Sequence, residues 1–94
     1  MKSIIQSDVD CCYFCGATRG LETHHVFGGA YRKKSEQLGL TVRLCHNCHN
    51  EPPLGVHHNA VQMNILHQVG QRAAMAANEW STDDFIRKFG KNYL

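Results

Sequence analysis

The chain has 94 residues, of which 43% are hydrophobic, 9% aromatic and 19% charged, and its formal charge is +2 with neutral histidines. This composition is too apolar for a disordered chain, and no apolar run approaches the roughly 20 residues of a transmembrane helix. Residues 1–10 lack the apolar stretch of a signal peptide, which disfavours secretion. The length predicts one domain, 1–94, so small that a bound metal would supply much of its stability.

The five cysteines are an odd number, which argues against a fully paired disulfide framework. Four of them form two C-x2-C pairs: Cys12, Cys15, Cys45 and Cys48. This spacing lets two thiolates of each pair reach one tetrahedral zinc ion, so we expect a structural Zn²⁺ here; buried or redox cysteines are the alternative. Residues 16–44 between the pairs exceed the roughly 15–20 residues of common zinc sites, which implies an inserted structural unit. Cys11 is left outside the ligand set.

The interval between the cysteine pairs predicts two strands connected as a β-hairpin. Residues 21–27 are rich in β-formers and end at a double glycine, and residues 40–44 alternate apolar and polar side chains up to Cys45. Residues 31–35 are predicted to be a loop. The basic side chains of this loop are Arg32, Lys33 and Lys34.

Two helices are predicted after the second cysteine pair, although Pro52 and Pro53 argue against a long helix directly behind it. Asn59, a favourable N-cap, precedes an amphipathic helix whose propensity Gly70 lowers slightly. Its apolar stripe comprises Val61, Ile65, Val69 and Ala73, flanked by Leu66 and Ala77. A second helix is predicted to begin after Ser81, with acidic residues in its first turn, and to end at Gly90.

Six of the seven histidines lie near the cysteine pairs: His24, His25, His46, His49, His57 and His58. His67 lies within the helical pattern and is interpreted as a surface residue. Four cysteines already fill a zinc site, so imidazoles could hold a second metal, and a free imidazole beside it would act as general base in hydrolysis. Adjacent residues on a regular strand face opposite sides, but at a strand end two histidines can approach one site. Alternatively, the histidines are solvent-exposed or complete the zinc site.

Three segments together resemble the HNH endonuclease superfamily, in particular the small HNH proteins with zinc knuckles of phages and bacteria. They are Cys12-x2-Cys15, Leu21-Glu22-Thr23-His24-His25-Val26, and Leu44-Cys45-x2-Cys48-His49 with a later histidine. The resemblance covers about residues 11–58 and implies an α+β fold, in which a small zinc-stapled ββα-metal core of treble-clef type precedes C-terminal helices at about 59–94. It also implies a cytoplasmic protein of a bacterium or phage-infected cell, with no membrane partner.

The same resemblance implies roles for individual histidines. By position, His24 and His49 bind one catalytic divalent metal (Mg²⁺, Mn²⁺, Ni²⁺ or Zn²⁺), and His25 is the general base that takes a proton from the attacking water. An insertion containing two prolines displaces the last ligand of the family pattern. His57 restores the family's order of an apolar residue followed by histidine, and His58 is the alternative.

The family's asparagine would fall at Leu40, so the group that orients the base must come from elsewhere, either Ser35 or a backbone carbonyl. The resemblance implies DNA as the partner, and a divalent metal would stabilise the charge that develops on its phosphate. Arg32, Lys33 and Lys34 are expected to contact flanking phosphates; an ordinary solvated turn is the alternative. No helix with spaced base-reading side chains is recognisable, which predicts weak sequence preference.

The sequence thus predicts a metal-dependent DNA endonuclease that hydrolyses phosphodiester bonds with a histidine base and one divalent metal. The alternative is a catalytically inactive, zinc-dependent nucleic-acid-binding module, which the missing asparagine would favour. A third candidate is an interaction domain in a larger phage or host assembly, and a homo-oligomer stays open.

Overall fold

The two strands predicted between the cysteine pairs form an antiparallel sheet in the computed structural model, which describes all 94 residues, Met1–Leu94. Strand β1 spans Leu21–His25 and strand β2 spans Thr41–Cys45, with Leu21 opposite Cys45. With the helices described below, this sheet gives the small α+β fold that the sequence predicts. The register brings the start of β1 beside the second cysteine pair.

The basic segment between the strands is a helix, not the predicted loop. Helix α1 spans Arg32–Leu38 and follows a single 3-10 turn at Gly29–Tyr31. Most of its residues are good helix formers, which favours a helix over a loop. Gly39 ends α1 in the left-handed conformation (φ 72°), where its N–H reaches the carbonyls of Ser35 and Glu36. The two strands are therefore joined by a helical connection.

Three further helices follow β2. Helix α2 is a short segment at His46–Asn50 and leads through a 3-10 turn at Val56–His58 into the long helix α3, Ala60–Asn78. Helix α4 spans Thr82–Phe89. The expectation that no long helix starts directly at the second cysteine pair is confirmed. None of the helices has the length and apolar character needed to cross a bilayer.

The predicted starts of α3 and α4 are confirmed by their caps. The Asn59 side chain accepts a hydrogen bond from the Gln62 N–H at 3.0 Å. Ser81 and Asp84 form a capping box, in which each side chain accepts a hydrogen bond from the other residue's backbone N–H (3.1 and 2.9 Å). Gly90 ends α4 with a positive φ of 80°.

The buried face of α3 is offset from the predicted apolar stripe. Leu66, Gly70 and Ala74 are buried, whereas Val61 is 71% exposed and Ile65 is 38% exposed. Successive residues of a helix are about 100° apart, so a shift of one position selects a neighbouring face. The absence of a side chain at Gly70 lets Val26 and Phe27, which follow β1, approach α3 closely, and a count of apolar positions does not indicate this.

Gly70→Ala is expected to destabilise the protein although alanine is the better helix former. An added Cβ would lie 2.6 Å from Val26 Cγ1 and 3.0 Å from Phe27 Cε2. Such overpacking costs about 1–3 kcal/mol, more than the roughly 1 kcal/mol that alanine gains over glycine in a helix. Urea unfolding of the zinc-loaded protein measures the difference, with the exposed Asn64→Ala as control. A variant as stable as the wild type would contradict this packing.

An aromatic cluster joins the C-terminal helices to the end of β1. The Phe27 ring lies 4.7 Å from the Phe89 ring and 5.5 Å from the Phe85 ring, measured between centroids. All three side chains are almost fully buried. The cluster fixes α4 against the segment that follows the double histidine.

The N-terminal segment covers the outer edge of β2. Ser3 Oγ donates a hydrogen bond to the Thr41 carbonyl at 2.5 Å. The Arg43 N–H donates to Gln6 Oε1 at 2.6 Å, and the Arg43 carbonyl accepts from the Tyr13 N–H at 2.8 Å. These backbone groups of β2 are therefore satisfied within the chain.

Candidate metal centres

The four cysteines of the two C-x2-C pairs come together in space. Their sulfur atoms all lie within 4.8 Å of one another, and those of Cys15 and Cys45 are 3.6 Å apart. A tetrahedral zinc with Zn–S bonds of about 2.3 Å places its sulfur ligands about 3.8 Å apart. The cluster, which we call the cysteine cluster, could therefore hold one zinc ion. Its members are Cys12, Cys15, Cys45 and Cys48.

The surroundings of the cysteine cluster lower the pKa of one of its thiols and raise the pKa of another. Burial opposes ionisation of Cys12, but hydrogen bonds from backbone N–H groups, foremost that of Cys15, outweigh it and lower the pKa of Cys12 to about 6. Burial and the neighbouring thiols raise the pKa of Cys48 far above its usual range. Thiolates crowded in this way repel one another, and a divalent cation would relieve that repulsion. The donor set thus fits a zinc ion.

Three histidines from three different elements form a second cluster, which we call the histidine cluster. His24 lies near the end of β1, His49 on α2 and His57 in the 3-10 turn before α3. His49 Nε2 is 3.3 Å from His24 Nδ1 and 3.1 Å from His57 Nε2. Nitrogen ligands at about 2.0–2.1 Å from a tetrahedral metal are about 3.3–3.4 Å apart, so this spacing fits one divalent cation. His58 is exposed and lies outside the cluster.

His24 is the most deeply buried member of the histidine cluster, with 4% of its surface exposed. Burial, and to a smaller extent the neighbouring imidazoles, lower the pKa of His24 to about 3. Burial also lowers the pKa of His57. Both side chains are therefore neutral at physiological pH, and a neutral imidazole is the form that binds metals. The Nε2 atom of His24 is buried without a hydrogen-bond partner.

His25 lies beside the histidine cluster on the wall of a cavity of about 410 Å³. Both members of the double histidine line this cavity, because β1 ends at His25 and the alternation of a regular strand stops there. The Nε2 atom of His25 is 3.7 Å from the Glu36 carboxylate, and the His25 side chain is 14% exposed. The cavity thus combines three imidazoles that could bind a metal with the imidazole of His25.

The three basic residues of α1 have different surroundings. Arg32 lines the cavity of the histidine cluster, and it also lines, together with Lys33 and His25, an adjoining cavity of about 410 Å³. Lys34 instead donates a hydrogen bond to the Lys88 carbonyl at 2.5 Å. Arg32 and Lys33 are therefore beside the histidines, whereas Lys34 is engaged with α4.

His67 is not the surface residue that the sequence analysis expects. Its ring stacks on Phe27, with centroids 5.3 Å apart and planes 10° apart, and it lines the same cavity as His25. Burial lowers the pKa of His67. The buried face of α3 explains this position, because residue 67 follows the buried Leu66 and lies one turn before the buried Gly70.

Glu22 is a residue of the site that sequence analysis missed. Its Oε1 atom lies 2.9 Å from His49 Nδ1 and 2.9 Å from Asn50 Nδ2. Hydrogen bonds from His49 and His46 hold the pKa of the Glu22 carboxyl below its usual range. Alternation along β1 is the signal that could have found it, because Glu22 faces the same side of the strand as His24.

Ser35, the side chain expected to replace the asparagine of the HNH pattern, does not hydrogen-bond to His25. Ser35 is buried, and its hydroxyl bonds the backbone N–H and carbonyl of Phe27 at 3.1 and 2.8 Å. Leu40, at the asparagine's position, is a fully buried core residue whose carbonyl accepts from the Val26 N–H. These residues shape the chain after β1.

The two clusters share helix α2 as their common support. Cys48 of the cysteine cluster and His49 of the histidine cluster are adjacent residues of this short helix. A metal held by the cysteines would therefore fix the position of His49 as well.

No family model, curated protein or solved structure matches the chain.

Proposed function

We propose that the protein is a metal-dependent endonuclease that hydrolyses phosphodiester bonds in DNA, as its resemblance to the HNH superfamily implies. The observation that carries the proposal is the histidine cluster, in which three imidazole nitrogens have the spacing of metal ligands within one cavity. Two further imidazoles, those of His25 and His67, and the Arg32 side chain line the same cavity. Ligands, base and phosphate-binding group are then within one site.

The histidine cluster is the proposed site of one divalent metal, Mg²⁺, Mn²⁺, Ni²⁺ or Zn²⁺. His24, His49 and His57 would be its protein ligands, and three ligands leave positions open for water and substrate. A cation bound there neutralises charge that develops on the phosphate and stabilises the leaving oxygen. A structural zinc in the cysteine cluster would hold α2 and thus His49 in place.

His25 is the proposed general base. It borders the cavity next to the ligand His24, so its ring can accept a proton from a water molecule that attacks the phosphate. The Glu36 carboxylate, 3.7 Å away, would stabilise the imidazolium that this transfer produces. Arg32 would bind the same phosphate and Lys33 a flanking one, because they line the two adjoining cavities. Lys34 is left out of this role, since it is hydrogen-bonded to Lys88.

A nucleic-acid-binding module without catalysis is the second candidate, and one observation favours it. The position that corresponds to the family's asparagine is occupied by a buried leucine, Leu40. The Ser35 hydroxyl forms hydrogen bonds only to the backbone of Phe27. A histidine base that lacks this asparagine, with only the Glu36 carboxylate 3.7 Å away, would be less well aligned. In that case Arg32 and Lys33 would still bind phosphates.

Plasmid cleavage separates the two candidates. Supercoiled DNA incubated with the zinc-loaded protein and each of the four metals is expected to become nicked or linear. EDTA, at a concentration that leaves the cysteine-bound zinc in place by elemental analysis, should stop the reaction. Binding of DNA without cleavage under any metal would favour the second candidate, and neither binding nor cleavage would contradict both.

His57→Ala is expected to weaken binding of the divalent metal far more than His58→Ala. His57 Nε2 is 3.1 Å from His49 Nε2 within the histidine cluster, whereas His58 is exposed outside it. Loss of a direct ligand should exceed the roughly 10–100-fold effect of losing an outer hydrogen-bond partner. Calorimetric titration with Mn²⁺ and plasmid cleavage measure the matched pair. Equal losses in both variants would contradict the assignment of His57.

A further inference from the structure

We infer that Glu22 is a positioning residue, which fixes the ring of His49 with its Nε2 lone pair directed into the histidine cluster. The inference rests on the metal site of the proposed function, but it concerns metal affinity and not DNA cleavage. Nothing in the family resemblance assigns a role to this glutamate.

The geometry between the two side chains sets the protonation of the His49 ring. A carboxylate can only accept, so the 2.9 Å contact requires His49 Nδ1 to carry the proton and donate it to Glu22 Oε1. In the neutral imidazole, the other ring nitrogen, Nε2, is then free of a proton. That atom is the one that lies 3.3 Å from His24 Nδ1 and 3.1 Å from His57 Nε2. The hydrogen bond thus selects the ligand atom.

Glu22 is itself held by more than one hydrogen bond. The amide of Asn50 donates to its Oε1 at 2.9 Å, and His46 Nδ1 lies 3.3 Å from its Oε2. His46 also contacts the Glu51 carboxylate through Nε2 at 2.8 Å. Although Glu22 is partly exposed, these bonds from α2 restrict its rotamers, and a restricted carboxylate orients its partner better than a free one.

The strand register explains why a glutamate can reach α2 at this point. Glu22 lies opposite Leu44, the last residue but one of β2, and α2 begins directly after β2 ends. The ring of His49 therefore lies between an acceptor on β1 and the ligands His24 and His57. Carboxylate–histidine–metal arrangements of this kind make the ligand more basic and fix its orientation.

Metal titration of zinc-loaded variants tests the inference. Glu22→Ala should weaken Mn²⁺ or Ni²⁺ binding by about 10–100-fold, the usual effect of losing an outer partner of a ligand histidine. Glu22→Gln keeps an acceptor oxygen and should recover part of this loss. The control is Glu51→Ala, which removes the contact to His46 only and should bind like the wild type. Zinc content and circular dichroism must stay unchanged in all variants.

Nitrogen-15 NMR of the histidine side chains reports which ring nitrogen of His49 is protonated. This tautomer would not change if Glu22 had only a structural role. In the metal-free site of the zinc-loaded wild type, His49 should be the tautomer protonated at Nδ1, and Glu22→Ala should lose this preference. Unchanged metal affinity or an unchanged tautomer in Glu22→Ala would overturn the inference. A wild type that binds the metal but does not cut DNA would contradict the proposed endonuclease and leave the role of Glu22 intact.

Discussion

Cys45→Ser is expected to be largely unfolded and to hold no tightly bound zinc. Cys45 ends β2 and precedes α2, so loss of its thiolate would release both elements from the other three cysteines. Structural zinc sites contribute about 10–16 kcal/mol of apparent binding free energy in small domains. That is as large as the whole stability of a typical domain, about 5–15 kcal/mol. Native mass spectrometry and circular dichroism measure zinc content and folding.

Cys11→Ser is the matched control for this variant. Cys11 is the neighbour of a ligand in sequence, but its sulfur is not a member of the cysteine cluster. The control should bind one zinc and unfold like the wild type. A Cys45→Ser protein that folds normally without zinc would refute the structural role of the metal.

His25→Ala is expected to abolish cleavage of DNA and to keep the affinities for the divalent metal and for DNA. His25 lines the cavity but is not a member of the histidine cluster, so its removal takes away the proton acceptor alone. A positioned general base contributes about 10²–10⁴-fold to a rate. Single-turnover cleavage measures this loss, and calorimetry and fluorescence anisotropy measure the two affinities.

His49→Ala provides the contrast to the loss of the base. His49 Nε2 is the central nitrogen of the histidine cluster, within 3.3 Å of both other members, so this variant should lose metal affinity together with cleavage. Equal metal affinities in His25→Ala and His49→Ala would show that the two roles are assigned wrongly. Full activity in His25→Ala would exclude it as the base.

Features with a local cause could be predicted from the sequence. Each C-x2-C pair brings its own two sulfurs together through its spacing, and the caps at Asn59 and Ser81 depend on residues three positions away. The two strands follow from their composition, although β1 ends at His25 and not at the double glycine as predicted. The α+β fold class could be predicted for the same reasons.

Features decided by tertiary packing could not be predicted. Which face of α3 is buried depends on where Phe27 meets the small Gly70, and this choice also brings His67 into the cavity. Helix α1 could not be predicted, because its charged residues are as compatible with a solvated loop as with a helix. Glu22 gains its role only through contact with α2, 24 or more residues further along the chain.

The covered edge of β2 bears on how the protein behaves at high concentration. A sheet of only two strands presents open edges, and an open edge is a template for pairing with another chain and for aggregation. Here the outward carbonyl of Thr41 and both backbone groups of Arg43 already have partners in the N-terminal segment and at Tyr13. Intermolecular strand addition along β2 would first have to displace these contacts, so the N-terminal segment protects this edge from pairing with another chain.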